Sequence, residues 1–180
     1  MRSACLMLVA VALMQAQTGK YGAGRPPTPQ EVKALDISVP PSGEGLPEGS
    51  GTAVEGKEVY ARRCQRCHGA EGKGGDEVAL VGGSGTLNTP KPLKTVGSYW
   101  PYATTLFDYI HRAMPFKDPG SLTSNHVYAV TAYILQLNGI IRANEKMSAE
   151  SLPKVKMPNR DGFIPDARPD TGKVKGTTKR

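Results

Sequence analysis

Cys64, Cys67 and His68 stand in the run Cys64-Gln65-Arg66-Cys67-His68, a C-x-x-C-H pattern. These residue types at this spacing fit the covalent attachment of a c-type haem. Each thiol can add across a vinyl group to form a thioether, and the neighbouring imidazole can ligate iron. The spacing lets two thiols reach two edges of one flat macrocycle while the imidazole stands under its centre. Two other uses of paired cysteines are disfavoured. A redox C-x-x-C sits at a strand-to-helix junction in a βαβ pattern, and the sequence shows none. A zinc site needs a second ligand pair, and no Cys follows Cys67.

An iron held by one His needs a sixth ligand or keeps an open site. The candidates beyond the motif are Met114, Met147, Met157, His111 and His126. Met114 is the best placed. It lies 11 residues past Ala103, close to three helical turns, and so extends an apolar helical face. Pro115 disfavours helical geometry at Met114 itself, which puts the thioether where a helix ends and the chain turns. An isolated Met is more often core filler. The Met-Pro pair between two amphipathic segments, downstream of C-x-x-C-H, reverses that preference. His111 falls at the edge of the apolar face and is expected to be exposed. His126 falls in the first turn of the next helix and is expected on the surface. Met147 and Met157 lie in Pro-rich chain past the last core helix.

Three segments must position these groups. Residues 52–64 read as a helix leading into the motif, with Val59, Tyr60 and Cys64 near one face. A second helix is expected from Pro101, a favoured residue at a first helical position. Its Ala103, Leu106, Phe107 and Ile110 follow the i, i+3, i+4, i+7 rule. A third helix follows a Ser or Thr cap within residues 121–124 and stops near Asn138-Gly139, with Val127, Val130, Ile134 and Leu137 as its buried stripe. Nothing reads as a sheet, so the expected class is all-α.

The flanks differ from this centre. The chain holds 21 Gly and 15 Pro in 180 residues, concentrated outside the helical segments. Residues 1–16 read as a secretory signal: Arg2 supplies the positive end, an apolar run follows, and Ala16 is the last residue before cleavage. Cys5 leaves with that segment, and the mature chain keeps two Cys, both committed to haem. Residues 17–50 form a Pro/Gly-rich arm, 51–150 a single-haem domain, and 151–180 a second arm with a basic, disordered tip. Export agrees with the motif, because bacteria attach c-type haem outside the cytoplasm, so the expected location is the periplasm without a stable membrane anchor. The net charge of +7 suggests docking on an acidic surface. No nucleic-acid motif accompanies it, and nucleic-acid binding is not expected.

The order helix, C-x-x-C-H, Gly-rich loop, helix, Met114-Pro115, helix resembles class I cytochromes c. That resemblance implies the class I cytochrome c fold, here with long Pro/Gly-rich N- and C-terminal arms. It also implies a crossing of first and last helices at a small and an aromatic residue, matched by Gly56 and Tyr133. The family's loop often carries Pro-x-Leu-x-Gly, whose Pro carbonyl orients the proximal His. The matching stretch is Val78-Ala79-Leu80-Val81-Gly82, and the role passes to the Val78 carbonyl.

A narrower resemblance spans about residues 36–170. Residues 94–110, opening Lys94-Thr95-Val96-Gly97-Ser98-Tyr99-Trp100, look like the cytochrome subunits of bacterial sulfane (Sox-type) and sulfite dehydrogenases. So do Gly45-Leu46-Pro47-Glu48-Gly49 and Leu152-Pro153-Lys154-Val155-Lys156-Met157-Pro158-Asn159. It implies a carrier without catalysis of its own, reduced by a molybdenum-cofactor dehydrogenase subunit and oxidised by another cytochrome or a terminal oxidase. It further implies arms that wrap the haem domain or grip a partner. Some relatives carry two haems on a longer chain, whereas one C-x-x-C-H allows one covalent haem c. Cys64 and Cys67 attach it, His68 and Met114 ligate the iron, and Tyr99 and Trp100 are candidates to line it. The alternatives are a general periplasmic carrier with no dedicated molybdenum partner, and a haem enzyme or ligand sensor whose sixth site opens.

Overall fold

The computed structural model describes residues 24–166. The expected signal segment, the first residues of the N-terminal arm and the basic C-terminal tip lie outside the described residues. The chain divides into a short unit ending at Ile37 and a larger one beginning at Ser38. The described part of the first unit contains helix α1, Pro29–Leu35. Thr28 and Glu31 cap it reciprocally, each side chain bonding the other's backbone N–H, and Pro29 opens it.

The larger unit contains α2 (Ala53–Arg63), α3 (Gln65–His68), α4 (Ala103–Ala113) and α5 (Ser124–Leu137). A capping box of Thr52 and Glu55 starts α2, and the Thr123 hydroxyl accepts from the His126 N–H to start α5. Val127 to Leu135 are buried without interruption, which makes α5 the central helix. Tyr60, Phe107, Tyr128, Leu135 and Leu152 are the largest fully buried side chains, and the Phe107 and Tyr128 rings lie 4.5 Å apart.

Helices α2 and α5 approach through Gly56. A Cβ at that position would lie 1.9 Å from the Ala129 carbonyl oxygen and 2.9 Å from the Tyr133 Cβ. Only hydrogen fits. Beside this contact the Tyr60 and Tyr133 rings pack 5.2 Å apart. The pairing of Gly56 with Tyr133 implied by the family resemblance is present.

Two expectations need correction. The sequence reading found no sheet, yet Ser50–Gly51 (β1) pairs antiparallel with Met147–Ser148 (β2), Ser50 opposite Ser148 and Gly51 opposite Met147. Strands of two residues carry no alternation to read, and their pairing joins distant parts of the chain. Helix α4 begins at Ala103 rather than Pro101. Tyr102 stays extended (φ −138°, ψ 133°), and its ring lies 4.6 Å beneath the Arg160 guanidinium of the C-terminal arm.

The arms pack on the helices from both sides. The Val39 N–H donates to the Asp108 carboxylate at 2.8 Å, the Tyr128 hydroxyl to the Pro47 carbonyl at 2.9 Å, and the Thr104 hydroxyl to the Pro41 carbonyl at 3.2 Å. The Arg112 guanidinium beside Asp108 holds that carboxyl below its usual range, against the opposing effect of burial. On the C-terminal side Leu152, Val155 and Met157 are buried, and the Asn159 amide donates to the Tyr99 carbonyl at 2.7 Å. Met147 and Met157, read as loosely placed in the sequence, are core residues.

Gly56→Leu is expected to force α2 and α5 apart, costing about 2–3 kcal/mol and lowering Tm by roughly 5–10 °C in thermal denaturation. A variant melting with the native protein would contradict the contact.

Candidate haem site

One helical turn gathers the three motif side chains. Cys64 closes α2 through its N–H to the Tyr60 carbonyl, and its own carbonyl accepts from the Cys67 and His68 N–H groups at 3.1 Å each. Gly69 ends the turn at φ 80°, where a Cβ would stand 1.9 Å from the Lys73 carbonyl oxygen. The Tyr60 hydroxyl donates to the Gly69 carbonyl at 2.9 Å, so the core helix holds the far end of the turn. Burial pushes the Tyr60 phenol up to about 12 and the half-buried Cys64 thiol up to about 11. Cys64 and Cys67 are both free thiols, and Cys67 is exposed.

The loop after the turn folds back on it. The Leu80 N–H donates to the Gly72 carbonyl at 2.7 Å, and the Glu77 N–H to the Cys67 carbonyl at 2.9 Å. This return brings the Val78 carbonyl 2.9 Å from His68 Nδ1. The Val78 role carried over from the family loop is thus present, with valine in place of proline; only the backbone oxygen is needed. A proton on Nδ1 satisfies that bond and leaves the Nε2 lone pair free for a metal.

Sequence reasoning missed Asn138, which it used only as a helix stop. Its amide donates to the Leu80 carbonyl at 3.1 Å and to the Ile134 carbonyl at 2.9 Å, and its carbonyl accepts from the Gly82 N–H at 3.3 Å. The end of α5 therefore pins the loop that carries Val78. Asn directly before Gly139 is the one sequence signal, and it reads equally well as a helix terminus.

Met114 ends α4 in extended conformation (φ −120°, ψ 147°), its N–H still bonded to Ile110. The departure from helix expected before Pro115 is present. Half-buried Met114, Cys64, Leu80 and Trp100 all pack at the margin of the same core. The Arg63 guanidinium, one residue before Cys64, bonds the Asp118 carboxylate at 2.7 Å and the Ser121 hydroxyl. It links the approach to the motif with the chain after Met114. Arg63 holds the Asp118 carboxyl below its usual range.

The other candidates sort as follows. Trp100 packs edge-on against Tyr109 at 5.9 Å, while Tyr99 sits between Phe163 at 5.2 Å and the Lys94 ammonium at 5.0 Å. His126 is exposed, as expected. His111 is not the exposed residue expected: it is half-buried, with its ring 5.7 Å from Phe107 and Nδ1 buried without a hydrogen-bond partner. Its position at the edge of the apolar face turns it toward the core rather than away.

Two thiols, an imidazole with a free nitrogen, a thioether leaving a helix end and a half-buried apolar margin form a donor set that fits haem c. The fold and this turn define a c-type cytochrome domain. Residues 51–134 match the family described as cytochrome c oxidase, cbb3-type, subunit III. The crystal structure of the sulfane dehydrogenase SoxCD from Paracoccus pantotrophus is 39% identical, covering 89% of this chain and 80% of that chain with a TM-score of 0.77. Among curated proteins none matches. The chain belongs to the cytochrome c family, in the group of the SoxD cytochrome subunit of that dehydrogenase. The family implies covalent haem c. Among the described residues no helix is long and apolar enough to cross a membrane.

Tyr60→Phe is expected to cost about 1 kcal/mol at neutral pH through the lost bond to Gly69. The native phenol titrates above its ordinary value of 10.0, so its contribution is full below that value and is lost as pH rises toward about 12. Thermal melts from neutral to alkaline pH should therefore show a shallower alkaline decline in the variant, and an unchanged decline would contradict the assignment.

Proposed function

We propose that this chain is a single-haem periplasmic electron carrier, reduced by a molybdenum-cofactor dehydrogenase subunit and oxidised by a downstream cytochrome or terminal oxidase. The observation that carries the reading is the bond between His68 of the C-x-x-C-H turn and the Val78 carbonyl of the loop folded back on it. It fixes the imidazole before any metal arrives and reserves Nε2 for one. Cys64 and Cys67 attach one haem c, His68 and Met114 ligate its iron, Trp100 lines the crevice, and Tyr99 supports that edge through the arm. Haem held by this pair supplies a low-spin ferric–ferrous couple whose ferrous state the soft thioether favours. The chain's part is to keep both ligands in place, which limits reorganisation and leaves no open coordination position for catalysis.

The partner rests on likeness to a cytochrome that forms a complex with a molybdenum subunit. A net charge of +7 suits electrostatic steering toward an acidic face, with on-rates that fall as salt rises. The test is reconstitution of the exported, haem-loaded protein with the molybdenum dehydrogenase subunit of the same organism. Sulfite or thiosulfate is expected to reduce the cytochrome only when that subunit is present, at a rate that drops with ionic strength. A cytochrome that remains oxidised in the complete mixture, while ascorbate reduces it normally, would contradict the donor assignment.

A further inference from the structure

The Val78 carbonyl is not held in place by its own side chain, which is 73% exposed. Backbone bonds from the Glu77 N–H to Cys67 and from the Leu80 N–H to Gly72 tie the loop to the motif turn and to itself. Beyond the motif the loop is tied by two side chains that meet at Gly82. The Asn138 carbonyl accepts from the Gly82 N–H at 3.3 Å, and the Thr95 hydroxyl donates to the Gly82 carbonyl at 2.6 Å.

Thr95 is itself fixed by Ser98. The Ser98 hydroxyl accepts from the Thr95 N–H at 2.9 Å and donates to the Leu93 carbonyl at 2.6 Å. The Thr95 hydroxyl accepts in turn from the Ser98 N–H at 3.2 Å. Each hydroxyl thus donates once and accepts once from the backbone. Thr95 is 2% and Ser98 5% exposed, so these bonds are shielded from water and hold one geometry. Gly97 lets the turn reach α5, because a Cβ there would lie 2.1 Å from Asn138 Oδ1. The turn at 95–98 and the end of α5 therefore grip Gly82 by both its carbonyl and its N–H.

We propose that Thr95, Ser98 and Asn138 are positioning residues that set the strength of the His68–Val78 bond, and through it the balance of ferrous and ferric iron. The inference rests on the haem reading given under the proposed function. A strong bond from Nδ1–H to the Val78 carbonyl makes the imidazole a more basic donor, which favours ferric iron. A clamp that is opened lets the carbonyl drift from Nδ1, weakens the donor and favours ferrous iron.

The test uses the full exported, haem-loaded chain. Thr95→Val removes the hydroxyl at nearly constant volume, and Thr95→Ser keeps it. Tyr128→Phe is the control, losing a hydroxyl-to-carbonyl bond to Pro47 that does not lead to His68. In a redox buffer of fixed potential and pH, the ferrous-to-ferric ratio of Thr95→Val is expected to rise about threefold or more over native. Thr95→Ser is expected near native and Tyr128→Phe unchanged. A native ratio in fully haem-loaded Thr95→Val would overturn the proposal. So would an equal rise in Tyr128→Phe, or a Thr95→Ser chain that behaves like Thr95→Val. If Thr95→Val takes up no haem, Asn138→Ala opens the same clamp from α5 and carries the same expectation. Loss of haem there too would mean that the network builds the loop rather than tunes it, and would also overturn the proposal. No molybdenum subunit enters the measurement, so these outcomes leave the donor assignment intact. A native chain that takes up no haem would overturn both this inference and the haem reading.

Discussion

The approach of α2 to α5 at Gly56 is the constraint on which the rest of the larger unit depends. A hydrogen where other residues carry a Cβ lets the two backbones meet at Ala129. Gly51 repeats the condition just before α2, where a Cβ would lie 2.5 Å from the Ala129 nitrogen. The two contacts fix the start and first turn of α2 against the central helix. The direction of α2 then determines where its C-terminus delivers Cys64. Tyr60 continues the contact, packing on Tyr133 and reaching forward to the Gly69 carbonyl. Packing in the core is thereby converted into position at the motif.

The orientation of His68 comes from the opposite end of α5. Asn138 holds the loop at Leu80 and Gly82, and that loop presents the Val78 carbonyl to the imidazole. Both ends of the proximal arrangement are thus tied to one buried helix, the cysteine turn through α2 and the histidine partner through Asn138. Met114 reaches the same core margin by a separate route, along the buried face of α4. Asp108 and Thr104 on α4 also bond the N-terminal arm, and Arg160 covers the residue before the helix. The arms therefore help to set the frame of the helix that ends in Met114.

Much of this was legible in the sequence because short-range patterns carried it. Covalent chemistry fixes the spacing of C-x-x-C-H. The apolar rows of α4 and α5 follow helical periodicity, and Pro115 limits the backbone before it. The Gly56–Tyr133 contact and the Val78 carbonyl became visible only through the family resemblance, since neither is a local pattern. What could not be read depends on distant segments meeting. The β1–β2 pair is too short to alternate, Asn138 looks like an ordinary helix end, and the contact of Arg160 with Tyr102 before α4 comes from the far arm. His111 was misread because a residue at the edge of an apolar face can turn either way, and the neighbouring Phe107 decides it.

The central proposal is that His68 and Met114 would together ligate the iron of one haem c, which suits the domain to electron transfer. The most direct measurement is the far-red absorption of the oxidised native protein beside that of Met114→Ala. The account predicts a weak sulfur-to-iron charge-transfer band in the native protein that disappears in the variant, with carbon monoxide binding only after the substitution. A native protein that lacks the band, shows a high-spin ferric spectrum and binds carbon monoxide readily would contradict it.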